Sequence, residues 1–171
     1  MQEHFQIYAR YNAWANHRLY GAIENLPDEE IRKQRTAAYF GSILGTLNHL
    51  LVADRLWMAR FEGRESETQS LDRILHDTID ELKISRRAED RRIIDFIDRM
   101  SPRLYEQRLA YRTTKGESAG GTYGQLFAHL FNHQTHHRGQ VHALLSGLGV
   151  DPPSLDLIRF QRETGMGMDA A

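Results

Sequence analysis

The chain has 171 residues, with 22 Lys and Arg against 23 Asp and Glu, for a formal charge of −1. That length suits one domain over residues 1–171, able to bury a core without a staple, and the balanced charge argues against an electrostatic nucleic-acid binder. The absence of cysteine excludes disulfides, thiolate metal sites and a thiol nucleophile borne by the protein.

No stretch approaches the roughly 18 apolar residues of a membrane span. The opening Met1-Gln-Glu-His-Phe5 has neither the basic nor the apolar region of a secretory signal. A cytoplasmic protein without membrane attachment is therefore expected.

Prolines at 27, 102, 152 and 153, with glycines at 116–124 and 147–149, cut the chain into four long segments of helical periodicity. The first runs from Gln2 to Leu26, with Tyr8, Tyr11, Ala15, Leu19, Ala22 and Leu26 on one face, and Pro27 ends it. Residues 32–40 read as a connection. The second starts at Ser42, a good N-cap, and reaches Phe61, with Gly63 as a stop. The third is predicted from Ser70, with Asp72 in its first turn, to Met100. Its charged middle, Lys83 to Arg92, is expected to face solvent at least in part. Residues 101–121 form a long connection with an extended piece at 109–113 and a turn at Lys115-Gly116-Glu117. The fourth begins after Thr122 as N-cap and ends at Gly147-Leu148-Gly149, and a short helix over Ser154–Glu163 follows. The expectation is an all-α four-helix bundle with long crossover connections and a short C-terminal helix.

Nine histidines are an unusual count for this length. On a helical wheel of the fourth segment at about 100° per residue, Leu126, Leu130, His133, His137, Val141, Leu144 and Leu148 share a face. Two histidines thus occupy positions the helix otherwise gives to leucine and valine. Burying imidazoles on successive turns is costly unless something takes their lone pairs. A divalent metal does so, and His at i and i+4 present both rings on one side.

A third ligand should come from a facing helix. His49 lies on the apolar stripe His49, Val52, Leu56 of the second segment, and His129 competes with it. Gln140 sits beside the pair on the wheel, placed to orient a ligand or a bound water. His136 falls on the flank. His4, His17, His76 and His142 read as surface residues. Trp14, Trp57, Tyr8 and Tyr11 read as core, rim or cleft walls. Arg138 and Gly139 break the pattern.

Three stretches resemble a known family: Tyr11-Asn-Ala-Trp-Ala-Asn16, Gly41-Ser-Ile-Leu-Gly-Thr-Leu-Asn-His-Leu-Leu-Val-Ala-Asp-Arg-Leu-Trp57 and His133-Gln-Thr-His-His-Arg-Gly-Gln140. Together they make the chain similar, over nearly its full length, to the DinB/YfiT-like metal-dependent proteins. The resemblance implies a four-helix bundle with a three-histidine metal site on His49, His133 and His137. It also implies a divalent ion (nickel or zinc foremost, iron or manganese next) and a homodimer. By analogy it implies a metal-dependent enzyme that transfers a low-molecular-weight thiol to small electrophiles. Metal-dependent hydrolysis and a non-catalytic, metal-binding role in stress response are the alternatives. No particular catalytic residue, thiol or substrate follows from the motifs.

Overall fold

The computed structural model describes residues 1–65 and 70–168. Helix α1 spans Gln2–Ile23 and turns Phe5, Ala9, Asn12, Asn16, Leu19 and Ile23 inward. A short α2, Asp28–Arg32, follows Pro27 and ends where the expected connection of residues 32–40 begins. Three acidic residues in its first turn favour it electrostatically, and Ile31 anchors it.

Helix α3, Ile43–Phe61, begins where Ser42 Oγ accepts the Gly45 N–H at 3.0 Å. It is buried on nearly every side, as a helix apolar all round must be.

Helix α4 spans Ile79–Arg99, capped by Thr78, and not the Ser70–Met100 that periodicity predicts. The reason is tertiary. Asn48 Oδ1 accepts the N–H groups of Leu75 and His76 at 2.8 and 3.1 Å, and Asn48 Nδ2 donates to the His76 carbonyl at 3.0 Å. The backbone of this stretch therefore bonds to α3 instead of to itself.

A 3-10 turn over Pro102–Glu106 leads to the antiparallel hairpin β1, Arg108–Arg112, and β2, Ser118–Thr122, with Tyr111 opposite Ala119. Gly116 supplies the positive φ of the turn. Thr122 and Gln125 form a reciprocal capping box that starts α5, Tyr123–Gly147. Helix α6, Leu157–Thr164, packs on α1.

Helix α1 neighbours α4 and α5, and α3 neighbours the same two, so the order around the bundle is α1–α4–α3–α5. The pairs α1/α3 and α4/α5, successive among the long helices, stand on diagonals. Both long connections therefore cross the bundle, and simple up-down order is excluded.

The core has two apolar halves. One holds Phe5, Trp57, Phe61, Ile93, Ile97 and Phe127. The other holds Leu19, Ile23, Ile43, Leu47, Leu82 and Leu145. Between them each helix contributes buried polar side chains: Asn12 and Asn16, Asp54, Arg86 and Asp90, Gln134 and Arg138. Lys83 to Arg92 faces solvent in part, as expected: Ile84, Arg87, Ala88 and Arg91 are exposed, whereas Arg86, Glu89 and Asp90 are buried.

Arg86 meets Asp54 at 2.7 Å and Asp90 at 3.0 Å. Asn12 and Asn16 donate to Asp90 at 3.2 and 3.0 Å and accept from Arg138. Two carboxylates and two guanidiniums balance across this belt, which is what makes their burial tolerable.

Candidate metal centre

The buried line of α5 runs through Phe127, Leu130, Gln134, Arg138, Val141 and Leu145. This line is rotated from the expected face of Leu126, Leu130, His133, His137, Val141, Leu144 and Leu148, because the polar Gln134 and Arg138 belong to it. His133 and His137 consequently lie at the edge of the buried face, toward α3. There they meet His49. One ring nitrogen from each of the three lies within 4.8 Å of the others. His49 and His137 are buried and His133 is half-buried. His129 stands outside this cluster. Its ring is edge-on to Trp57 at 5.1 Å, and it lines the neighbouring cleft.

The surroundings orient each ring. His49 Nδ1 lies 2.8 Å from the Leu71 carbonyl, which can only accept, so this nitrogen carries the proton and Nε2 keeps its lone pair. His137 Nδ1 lies 2.8 Å from Gln140 Oε1, the partner anticipated from the wheel. The Gln140 amide nitrogen in turn reaches His136 Nε2 at 3.2 Å. Phe40 covers the cluster. Its ring stacks on His49 at 3.6 Å between centroids and 15° between planes, and lies edge-on to His137 at 5.4 Å. Gly45 permits this, since a Cβ there would stand 2.1 Å from the Phe40 carbonyl oxygen.

Whether these residues suit a cation can be judged from their nitrogens. His49 Nε2 and His133 Nε2 are 3.0 Å apart, and His133 Nδ1 is buried without a partner. Either tautomer of His133 leaves something unsatisfied: a buried Nδ1–H with two lone pairs facing each other, or a buried bare Nδ1. Two nitrogens bound to one tetrahedral ion at about 2.0–2.1 Å stand about 3.3 Å apart. The observed separation is close to that, and the donor set is one that divalent first-row ions accept.

Burial, with like neighbours, holds the imidazoles neutral. Burial pushes His49 down to about 4, against the Leu71 bond that raises it. It pushes His133 down to about 3, with His137 and His49 adding to the effect, and His137 is lowered chiefly by the same cause. At neutral pH all three therefore offer lone pairs.

A cleft of about 290 Å³ opens beside the cluster, between α3, α5 and the hairpin. His49, His133, His129, Trp57, Arg60 and Tyr111 are among its walls. Sequence reasoning did not single out Phe40, Leu71 or Arg60, because they reach the site from a loop, a coil and the far end of α3. The polar belt behind the site had a legible signal in two pairs spaced four apart on inward helix faces, Asn12/Asn16 and Gln134/Arg138, whereas Arg86/Asp90 is hidden in a charged stretch. Of the histidines expected at the surface, His4 and His17 are exposed. His76 and His142 are half-buried, and His76 Nε2 lies 2.7 Å from Ser85 Oγ.

The family model described as DinB family matches residues 1–168. The chain is similar to Protein DinB of Bacillus subtilis (strain 168), with 29% identity over 94% of this chain and 95% of that one. With that match running through all the helices that build the site, the chain belongs to the DinB family.

Proposed function

We propose that His49, His133 and His137 hold one divalent first-row cation, nickel or zinc in the first instance, and that the protein uses it on a small molecule in the adjoining cleft. The observation that carries this reading is the convergence of three neutral imidazoles from two helices on one point. Three protein ligands leave positions for an outside group, as reactive sites do and closed structural sites do not. A bound divalent cation supplies Lewis acidity, which lowers the pKa of a thiol or water placed on it. The chain's own residues then do the positioning. Leu71 and Gln140 fix the ring orientations, Phe40 shields one side from water, and the apolar wall of Ala53, Leu56 and Trp57 receives the organic body.

Transfer of a small-molecule thiol to an electrophile is the reaction we favour over hydrolysis. Hydrolysis calls for a general base. Among the described residues the buried carboxylates Asp54 and Asp90 face Arg86, Asn12 and Asn16, and no carboxylate joins the histidine cluster. A free thiol titrates at about 8.5 and water at about 15.7, so a cation brings the thiol to its anion at neutral pH with far less help from a base.

The test begins with metal analysis of purified protein. Wild type and His129→Ala should carry close to one ion per chain, whereas His49→Ala, His133→Ala and His137→Ala should each lose at least tenfold in affinity with helical content intact. Full occupancy in His137→Ala rejects the site. Metal-loaded protein is then offered a panel of low-molecular-weight thiols with a chromogenic electrophile. Metal-dependent turnover with at least one thiol is expected, and none with any thiol rejects S-transfer.

A further inference from the structure

Arg60 is the cation of the cleft. It lies three helical turns beyond His49 on α3, so Ala53, Leu56 and Arg60 continue the face that His49 begins. Side chains on a helix lean toward its N-terminus, which here is toward the histidines. The guanidinium carbon sits 4.6 Å from the Trp57 ring centroid and 4.5 Å from that of Tyr111. Its Nη2 donates to the Arg112 carbonyl at 2.9 Å. Two aromatic faces and one carbonyl fix the fork's orientation, yet that single hydrogen bond engages only one of its five N–H donors.

Other arginines of α3 and α4 and of the turn after α3 are spent on carboxylates (Arg92 on Glu62 and Glu89, Arg64 on Glu62, Arg55 within 3.9 Å of Glu89), and Arg112 of the hairpin donates to the Gly116 carbonyl. Among the described residues no carboxylate pairs with Arg60. A half-buried, pre-oriented guanidinium without a counter-ion among the described residues, in the wall of a cleft, is arranged to receive a planar anion in a two-point contact. One side of the wall (Ala53, Leu56, Trp57 and Leu71) is apolar and suits a flat hydrocarbon body, with Tyr111, Thr113, Thr114 and His129 completing the cleft.

We infer that Arg60 is a specificity-determining residue that binds the carboxylate of a small molecule with a flat apolar body, the opposite end of which lies toward His49 and His133. The assignment of that opposite end rests on the function proposed above. The carboxylate contact does not, so the two can fail separately.

The probe is benzoate against its neutral isostere benzamide, titrated into metal-free, 15N-labelled full-length protein. The chain has two tryptophans. The Trp57 indole reports the cleft, and Trp14, packed on Phe160 elsewhere, is the internal control. Benzoate should bind at least tenfold more tightly than benzamide, moving the Trp57 signal and leaving that of Trp14. In Arg60→Gln the preference should fall below threefold. Equal affinities in wild type overturn the inference, and so does a preference that survives in Arg60→Gln.

Because Arg60 also ties the hairpin to α3, Arg60→Lys provides a variant that keeps the charge and the stem but not the fork. It should lose at least threefold of the preference, and an unchanged preference again overturns the inference. Metal uptake is measured on the same preparations. Protein that binds metal without preferring benzoate overturns this inference alone. Protein that prefers benzoate but binds no metal supports it and overturns the metal reading alone.

Discussion

His133 keeps a buried Nδ1 that no side chain or carbonyl of the described residues meets, while its Nε2 faces a second imidazole nitrogen. Such an atom costs stability unless its partner comes from outside the chain. The cost has a pH signature in the metal-free protein. Unfolded histidine titrates near 6.5, whereas burial holds His49 to about 4 and His133 to about 3. Between those values the unfolded chain takes up protons that the native state refuses. Stability therefore falls as pH drops below about 6.5 and stops falling from this cause below about 3. Urea unfolding of metal-free wild type should lose more between pH 7 and pH 4 than His133→Asn, which removes one of the histidines that burial keeps neutral. Parallel curves reject the burial account. At this scale the sequence was informative because an imidazole at a leucine position is conspicuous. Spacing could not choose between His49 and His129, since that choice depends on how α3 and α5 face each other.

Helices α3 and α5 each carry an interior glycine near the site, and the two should respond oppositely to alanine. At Gly139 of α5 a Cβ would meet nothing within 4 Å. Gly139→Ala should therefore stabilise the protein by up to about 1 kcal/mol from helix propensity alone, with metal affinity unchanged. At Gly45 of α3 the same Cβ would stand 2.1 Å from the Phe40 carbonyl. There the clash outweighs propensity, so Gly45→Ala should lower the melting temperature and displace Phe40 from His49, weakening metal retention several-fold. Paired melting and metal-retention measurements check both, and a stabilised Gly45→Ala with full metal retention would contradict the packing described. Helix boundaries were legible where the signal is local, as at the caps Ser42 and Thr122. They failed at Ser70, where Asn48 of another helix captures the backbone of residues 75 and 76. No periodicity within the segment reports a partner 27 residues away.

Across the whole molecule, the stretches that carry the family resemblance turn out to share one layer. Tyr11–Asn16 supplies Asn12 and Asn16, Gly41–Trp57 supplies His49 and Asp54, and His133–Gln140 supplies His133 and His137 with Gln134 and Arg138. The polar belt thus lies directly behind the histidine cluster. The alternation of residues along α5 aims His133 and His137 at one side of it and Gln134 and Arg138 at the other. Within the belt, burial raises Asp90 and pushes Asp54 up to about 6, against the pull of Arg86. Its members are therefore affordable only as a balanced set. Arg138→Met leaves one carboxylate in excess and Asp90→Asn one guanidinium in excess, so each should cost about 3 kcal/mol or more. The double variant restores neutrality and should cost less than the sum by about 1–3 kcal/mol. Urea unfolding of the four proteins closes the cycle, and strictly additive losses would mean that the belt is a collection of separate contacts. A coupled belt also predicts that both single variants loosen the metal site more than the double one does, because α1 and α4, which contribute no ligand, hold α3 and α5 in register through it.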